Sequence, residues 1–314
     1  MAPGARAPPG LNGLSMPGVR QGVSPSCVAL PSGPWPLVID FLAQRLSVLP
    51  KATWQERMAQ GQVVDALGLP VPPEAPYRPN TKLYYWRSQP NEQAIPLQAK
   101  VLLQDELLVV ADKPPFLPVI PSGRYVQETL LVRLRRELGI DALSPVHRID
   151  MDTAGLVMFC VQPCRRDAYQ ALFRARQVEK CYEAIAPWHE GLVLPITRLS
   201  RLSESAHFMV MQEVEGEPNA QTLIELAEAR AEAGLGRYRL KPLTGQRHQL
   251  RVHMNALGLP IVNDRIYPKL LPELPLEAPR DFSAPLQLLA QSLAFVDPVT
   301  HQPRRFVSER SLNW

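Results

Sequence analysis

Apolar positions along the chain fall into short runs separated by proline-rich stretches, and most of the runs carry a readable period. Over residues 36–46, Leu37, Phe41 and Leu42 recur at helical spacing. Residues 52–60 continue in helical style through Trp54 and Met58 and stop at Gly61. A polar, proline-rich stretch leads to Asn80, after which TKLYYWR predicts a short strand. Beyond a second polar linker at 89–96, the run 107–111 predicts a strand that Pro114 ends. Between 127 and 138, Leu130, Leu131, Leu134 and Leu138 share one helical face, with Arg133 and Arg136 turned elsewhere. The continuous apolar run 156–161 has strand length and suits a sheet covered on both faces. Tyr169, Leu172 and Phe173 then mark a helix over 167–173, and 181–186 resumes as a strand. Further strands are expected at 207–214, 220–226 and 236–240, and Thr244 can cap a helix that follows.

This order is neither a clean alternation of strand and helix nor purely β. It predicts a mixed α+β domain with a largely antiparallel sheet and flanking helices. The expected organisation is a flexible N-terminal arm (1–35), a small module of two helices and short strands (36–90), a large domain (97–306) and a C-terminal tail (307–314). No internal repeat is present. Neither GxGxxG nor GxxxxGK[ST] occurs, so no nucleotide cofactor is expected. No segment approaches 18 consecutive apolar residues, and a membrane span is not expected.

Composition changes this picture only in places. The 314 residues are 46% hydrophobic, ordinary for a globular protein, while 34 prolines fall mostly between elements and argue for rigid connections. The net charge of +4 is modest, but its distribution is uneven. Acids dominate 204–232, where Arg230 is the single base against Glu204, Glu213, Glu215, Glu217, Glu225, Glu228 and Glu232. Over 237–254 the bases Arg237, Arg239, Lys241, Arg247 and Arg251 meet no acid. That asymmetry describes either a basic face for a polyanion or two ordinary solvated faces. Cys27, Cys160, Cys164 and Cys181 form no metal or disulfide pattern, and Cys160 sits in an apolar run as a small core residue. Free thiols suit a reducing cytoplasm, the compartment expected here. No metal and no membrane partner are expected.

Three segments carry chemical content. PVHRIDMDTAGLVMF (145–159) places Arg148 and Asp150 just before a buried strand, with Thr153 and Gly155 in the turn. An ionised carboxylate on such a loop can act as nucleophile or base; equally, Arg148 and Asp150 can form an ion pair that pins the turn. Asp152 is a second candidate. LKPLTGQRHQLRVHMNALG (240–258) sets Leu250, His253, Met254 and Leu257 on the inner face of a helix begun at Thr244, and Arg247, Arg251 and Asn255 beside it. A basic face near a helix N-terminus suits phosphate. His248 and His253 lack the spacing and the glutamate of HExxH, and His253 reads as a satisfied core residue. In VEKCYEAI (178–185), Tyr182 follows Lys180 at the opening of a strand, placed to stack on a base or to fill the core.

HRIDMDTAG, KCYEAI, LKPLTGQRHQLRVH and the trailing GLPIVNDRIY resemble, in order and spacing, the signatures of the RluA-type family of RNA pseudouridine synthases. The resemblance covers roughly 97–306. It implies the pseudouridine synthase fold and isomerisation of selected uridines in ribosomal or transfer RNA, with no cofactor. It implies that Asp150 is the catalytic aspartate, Tyr182 the tyrosine against the target uracil, Arg251 the basic partner of the aspartate, and Arg148 the arginine linked to nucleotide flipping. RNA contacts are further expected from Arg247, Thr153, Lys180 and His248. The module at 36–90 resembles a diverged S4-like RNA-binding domain, and a monomer is expected. Two positions depart from the family pattern: Gln246 stands where Arg or Lys is usual, and Pro115-Phe116 follow Lys113-Pro114 where glycine is typical.

Overall fold

The computed structural model describes residues 17–89, 91–207, 209–272, 275 and 278–314. The chain divides after Pro90 into two compact units. In the first, β1 (Ser26–Ala29), α1 (Val38–Arg45), α2 (Lys51–Ala59), β2 (Val63–Val64) and β3 (Lys82–Tyr85) follow in sequence. The strands form an antiparallel sheet of order β1–β3–β2. Phe41 and Leu42 of α1 share a core with Trp54 and Met58 of α2, as the helical spacing requires, and with Val63 and Leu83 of the sheet. Residues 17–35, expected within a loose arm, instead contribute β1 and the buried Leu30. Four residues hemmed in by prolines and glycines are too few for a period to show. The remainder of that arm, 1–16, lies outside the described residues.

The second unit is built on an eleven-stranded sheet. Its elements in chain order are β4 (Lys100–Gln104), β5 (Leu108–Lys113), α3 (Leu130–Leu138), β6 (Ser144–Pro145), β7 (Ala154–Cys160), α4 (Arg166–Arg174) and β8 (Glu179–Pro187). There follow β9 (Ile196–Glu204), β10 (Met211–Val214), β11 (Ala220–Arg230), β12 (Leu235–Pro242), α5 (Gln249–Ala256), β13 (Leu288–Val296) and β14 (Pro303–Val307). The sheet runs β10–β9–β11–β12–β8–β13–β7–β5–β4, with β14 on β13 and β6 on β7. Among these pairs β13–β7 is parallel and the others are antiparallel, so the fold is mixed α+β and dominated by antiparallel pairing. Strands β4, β6, β9, β13 and β14 lie outside those expected. The strand expected over 207–214 shrinks to β10, because Ser205 and His207 form a turn before it. The tail begins on β14 and stays docked: Ser308 donates to Asp112, and Leu312 is buried.

Strand β7 shows why its sequence is apolar without alternation. All seven residues are buried. Val157 and Phe159 pack with Leu130 and Leu134 of α3, while Leu156, Met158 and Cys160 pack with Tyr169 and Leu172 of α4. Each such fully buried side chain contributes about 1.5–3 kcal/mol. The helix α3 starts at Leu130 rather than 127. Glu92 accepts the N–H groups of Val126, Gln127 and Glu128, which holds them in non-helical backbone, and Thr129 caps the helix. Gly139 ends it in the left-handed region, at φ 68°.

Two local devices centre the sheet. Gly155, read from sequence as a turn residue, lies in β7 at φ 107° beside Ala290 of β13. A Cβ there would fall 2.3 Å from the Ala290 carbonyl oxygen, so this close parallel contact requires glycine. The helix expected to start at Thr244 begins instead at Gln249, after His248 in the left-handed region at φ 54°. Gln249 does the joining. Its Oε1 accepts from Thr244 Oγ1 and Gln246 N, and its Nε2 donates to Gln221 O and Thr222 Oγ1. Thr244 is thereby used against β11, where its Oγ1 accepts from Gln221 N, and not as a cap.

Candidate active site

The loop between β6 and β7, the first half of β8 and the start of α5 meet at the centre of the sheet. A cleft of about 1460 Å³ opens there, and all eight residues singled out in the sequence line it: Arg148, Asp150, Thr153, Lys180, Tyr182, Arg247, His248 and Arg251. Arg251, two residues into α5, is buried at 2% exposure, and its Nη1 lies 3.4 Å from Asp150 Oδ2. Its better bonds go elsewhere. Nε and Nη2 donate to the two oxygens of Asp264 at 2.8 and 2.7 Å, and the Asp264 side chain is itself only 1% exposed. Asp264 also accepts the N–H groups of Ile266 and Tyr267. Burial works against the charge on Arg251, but the hydrogen bonds and charge of Asp264, with Asp150 behind them, outweigh it and hold the guanidinium more firmly protonated than usual. Asp150, at 28% exposure, keeps a face toward the cleft.

Tyr182 pairs with Ala290 and Leu240 on either side of β8, which fixes its backbone between two strands. Burial first, then the negative charge of Asp150, pushes its phenol above the ordinary range. The hydroxyl is therefore protonated at neutral pH, suited to donating a hydrogen bond or backing a ring and poorly suited to taking a proton. Lys180 donates to Thr244 O at 2.8 Å, and burial lowers its pKa to about 8. His147 accepts the Met158 N–H through Nε2 and is pushed down to about 3, chiefly by burial, so it is neutral.

The expected RNA contacts divide. Arg148 is exposed and Arg247 partly so, the latter paired with Glu204 at 3.1 Å. Thr153 is 2% exposed and His248 is 7% exposed, with its Nδ1 bonded to Tyr267 Oη. Buried as they are, both shape the wall rather than offer surface to a polymer. His253 is a core residue as read: it bonds Ser200 and Thr222, and burial brings its pKa down to about 4.

Several residues at the site escaped the sequence reading. Asp264 appears only inside the quoted GLPIVNDRIY, and no local pattern marks it as the main partner of Arg251. Lys113 is fully buried and donates to Met151 O at 2.8 Å and Pro114 O at 2.9 Å, tying down the loop that carries Asp150. Burial lowers its pKa to about 7 against the pull of Asp152 and Asp150. Asp152 is held by Arg280 at 3.0 Å.

Residues 107–256 match the family model for RNA pseudouridylate synthase. An RNA pseudouridine synthase of Synechocystis sp. is 31% identical over 241 residues, covering 73% of this chain and 79% of that protein. The dual-specificity RNA pseudouridine synthase RluA of Escherichia coli K12 is 36% identical over 203 residues, covering 63% of this chain and 87% of that protein. The fold matches the solved human RNA pseudouridylate synthase domain containing 1 with a TM-score of 0.54 at 22% identity, covering 71% of this chain and 86% of that one. The chain belongs to the RluA-type family of RNA pseudouridine synthases. It is an enzyme that isomerises uridine in RNA.

Proposed function

We propose that this enzyme acts on structured ribosomal or transfer RNA, with Asp150 acting on a uridine turned out of its stack. The observation that carries this reading is the pairing at the cleft floor. Arg251 is committed to the buried carboxylate of Asp264, and half-buried Asp150 is left with a single 3.4 Å contact to it and a face toward the cleft. Pure phosphate binding gains nothing from such a carboxylate.

Isomerisation breaks the N1–C1′ bond, rotates the uracil and rejoins it through C5. A stacked base has no room for this, so the nucleotide leaves the stack at a cost of about a few kcal/mol, less in loops. On this reading Arg148, exposed and lining the cleft, occupies the vacated space. Asp150 acts at C1′ as the glycosidic bond opens. Tyr182, protonated, backs the ring and orients it. Arg247 and Lys180, which line the cleft, are the bases this reading assigns to backbone phosphate. The atoms balance without any donor, since the C5 proton is released and one is gained at N1.

The first unit, with its helix pair and small sheet, supports a role as an S4-like RNA-contacting module. Two measurements test the proposal. Pseudouridine mapping in ribosomal and transfer RNA with and without the gene should show sites lost from one of these classes, and unchanged maps in both would contradict it. Deleting residues 1–90 should weaken RNA binding about tenfold while conversion recovers at saturating RNA. Unchanged affinity in a folded truncation would remove the module from the account.

A further inference from the structure

Two carboxylates, Asp150 and Asp152, flank Met151 on the loop before β7, and both line the cleft. Their partners differ in kind. Asp150 shares Arg251 with a better-placed competitor, whereas Asp152 has Arg280, Nη2 to Oδ1 at 3.0 Å, with the two side chains 16% and 19% exposed. The Arg280 guanidinium is itself oriented. Nη1 donates to Tyr125 Oη at 3.2 Å, and the charge sits 5.0 Å from the centre of the Phe116 ring. Phe116 in turn meets Phe282, two residues beyond Arg280, edge-on at 5.4 Å. Arg280 therefore holds the loop at Asp152 while being held itself by Tyr125 and Phe116.

Asp264 takes the bidentate face of Arg251 and Asp152 takes Arg280, so Asp150 is the carboxylate with the weakest hold on either guanidinium. Without Arg280, a second carboxylate two residues away would turn toward the same polyanion. It would also release the loop on one side of Met151, whose carbonyl Lys113 holds.

We infer that Arg280 is a positioning residue for the isomerisation: by holding Asp152 it fixes the loop and leaves Asp150 as the carboxylate presented to the nucleotide. The inference rests on the reading of Asp150 as the acting group. It separates Arg280 from exposed Arg148, because the hydrogen bonds of Arg280 are spent on the protein.

The test is single-turnover conversion by the full chain, followed as tritium release from C5-labelled uridine in ribosomal and transfer RNA transcripts, alongside equilibrium binding of the same transcripts. Arg280→Ala should slow conversion at saturating RNA at least about tenfold while changing affinity less than about threefold. Arg280→Lys, which keeps the charge but not the Tyr125 contact, should lose less. Adding Asp152→Asn to Arg280→Ala should recover several-fold in rate, because the released charge is gone. If the alanine variant does not fold in a thermal melt, Arg280→Gln decides, with the same slowing expected. A wild-type rate in the folded variant would overturn the inference. So would a loss confined to affinity, with weaker salt dependence and no recovery from Asp152→Asn, since that is the behaviour of a phosphate contact. Asp150→Asn run in parallel keeps the two claims apart: an inactive Asp150→Asn beside a fully active Arg280→Ala removes this inference alone.

Discussion

Arg251 gives its two shortest hydrogen bonds to Asp264, and that choice defines what Asp150 is free to do. A carboxylate locked in a bidentate pair is a structural group; one held at a single 3.4 Å contact keeps lone pairs for a substrate. Other single residues are fixed by equally local physics. Gly155→Ala should destabilise the enzyme by about 3 kcal/mol or more, since strain at φ 107° adds to a collision with Ala290. Urea unfolding measures this, and a loss below about 1 kcal/mol would mean that β13 can withdraw from β7. His253 makes a prediction in pH. Burial lowers its folded pKa to about 4, against opposing Glu213, so the unfolded chain binds more protons between about 4 and its own value near 6.5. Its contribution is full above about pH 6.5 and is lost as pH falls toward 4, about 2 kcal/mol by pH 5. Urea titrations at pH 8 and pH 5 should show that slope reduced in His253→Asn. Equal slopes in the two proteins would contradict it.

At the scale of elements, what the sequence disclosed depended on whether the cause was local. Leu130, Leu131 and Leu134 announce α3, and an apolar run announces β7, because one face or both faces are covered. Boundaries were hidden wherever a distant residue sets them. Glu92 delays α3, and nothing near 127 signals it. Gln249 delays α5 through partners on β11, and Thr244, an ordinary cap by type, is drawn to the sheet instead. Gln249→Leu should keep the volume but strand these partners, costing about 3 kcal/mol and slowing conversion by displacing Arg251. Thermal melts and single-turnover rates check both, and a variant as stable and as fast as wild type would mean that α5 does not depend on this junction.

Across the whole molecule, the antiparallel character of the sheet and the meeting of Asp150, Tyr182 and Arg251 were legible, the first from element order and the second from family signatures. The sheet's order was not legible. β13, which pairs with both β7 and β8 and so brings Asp150 and Tyr182 together, follows α5 by more than thirty residues. Asp264 and Arg280 escaped for the same reason: each is an unremarkable charge until the fold sets it against Arg251 or Asp152. The central claim, that chemistry belongs to Asp150 while binding belongs to the surrounding bases, is tested most directly by Asp150→Asn. The substitution keeps size and hydrogen-bonding reach and removes one negative charge. Single-turnover conversion of a transcript that the wild-type enzyme modifies, measured with its equilibrium affinity and a thermal melt, should show conversion abolished and affinity unchanged or slightly raised. A folded Asp150→Asn enzyme that converts uridine at the wild-type rate would contradict the account.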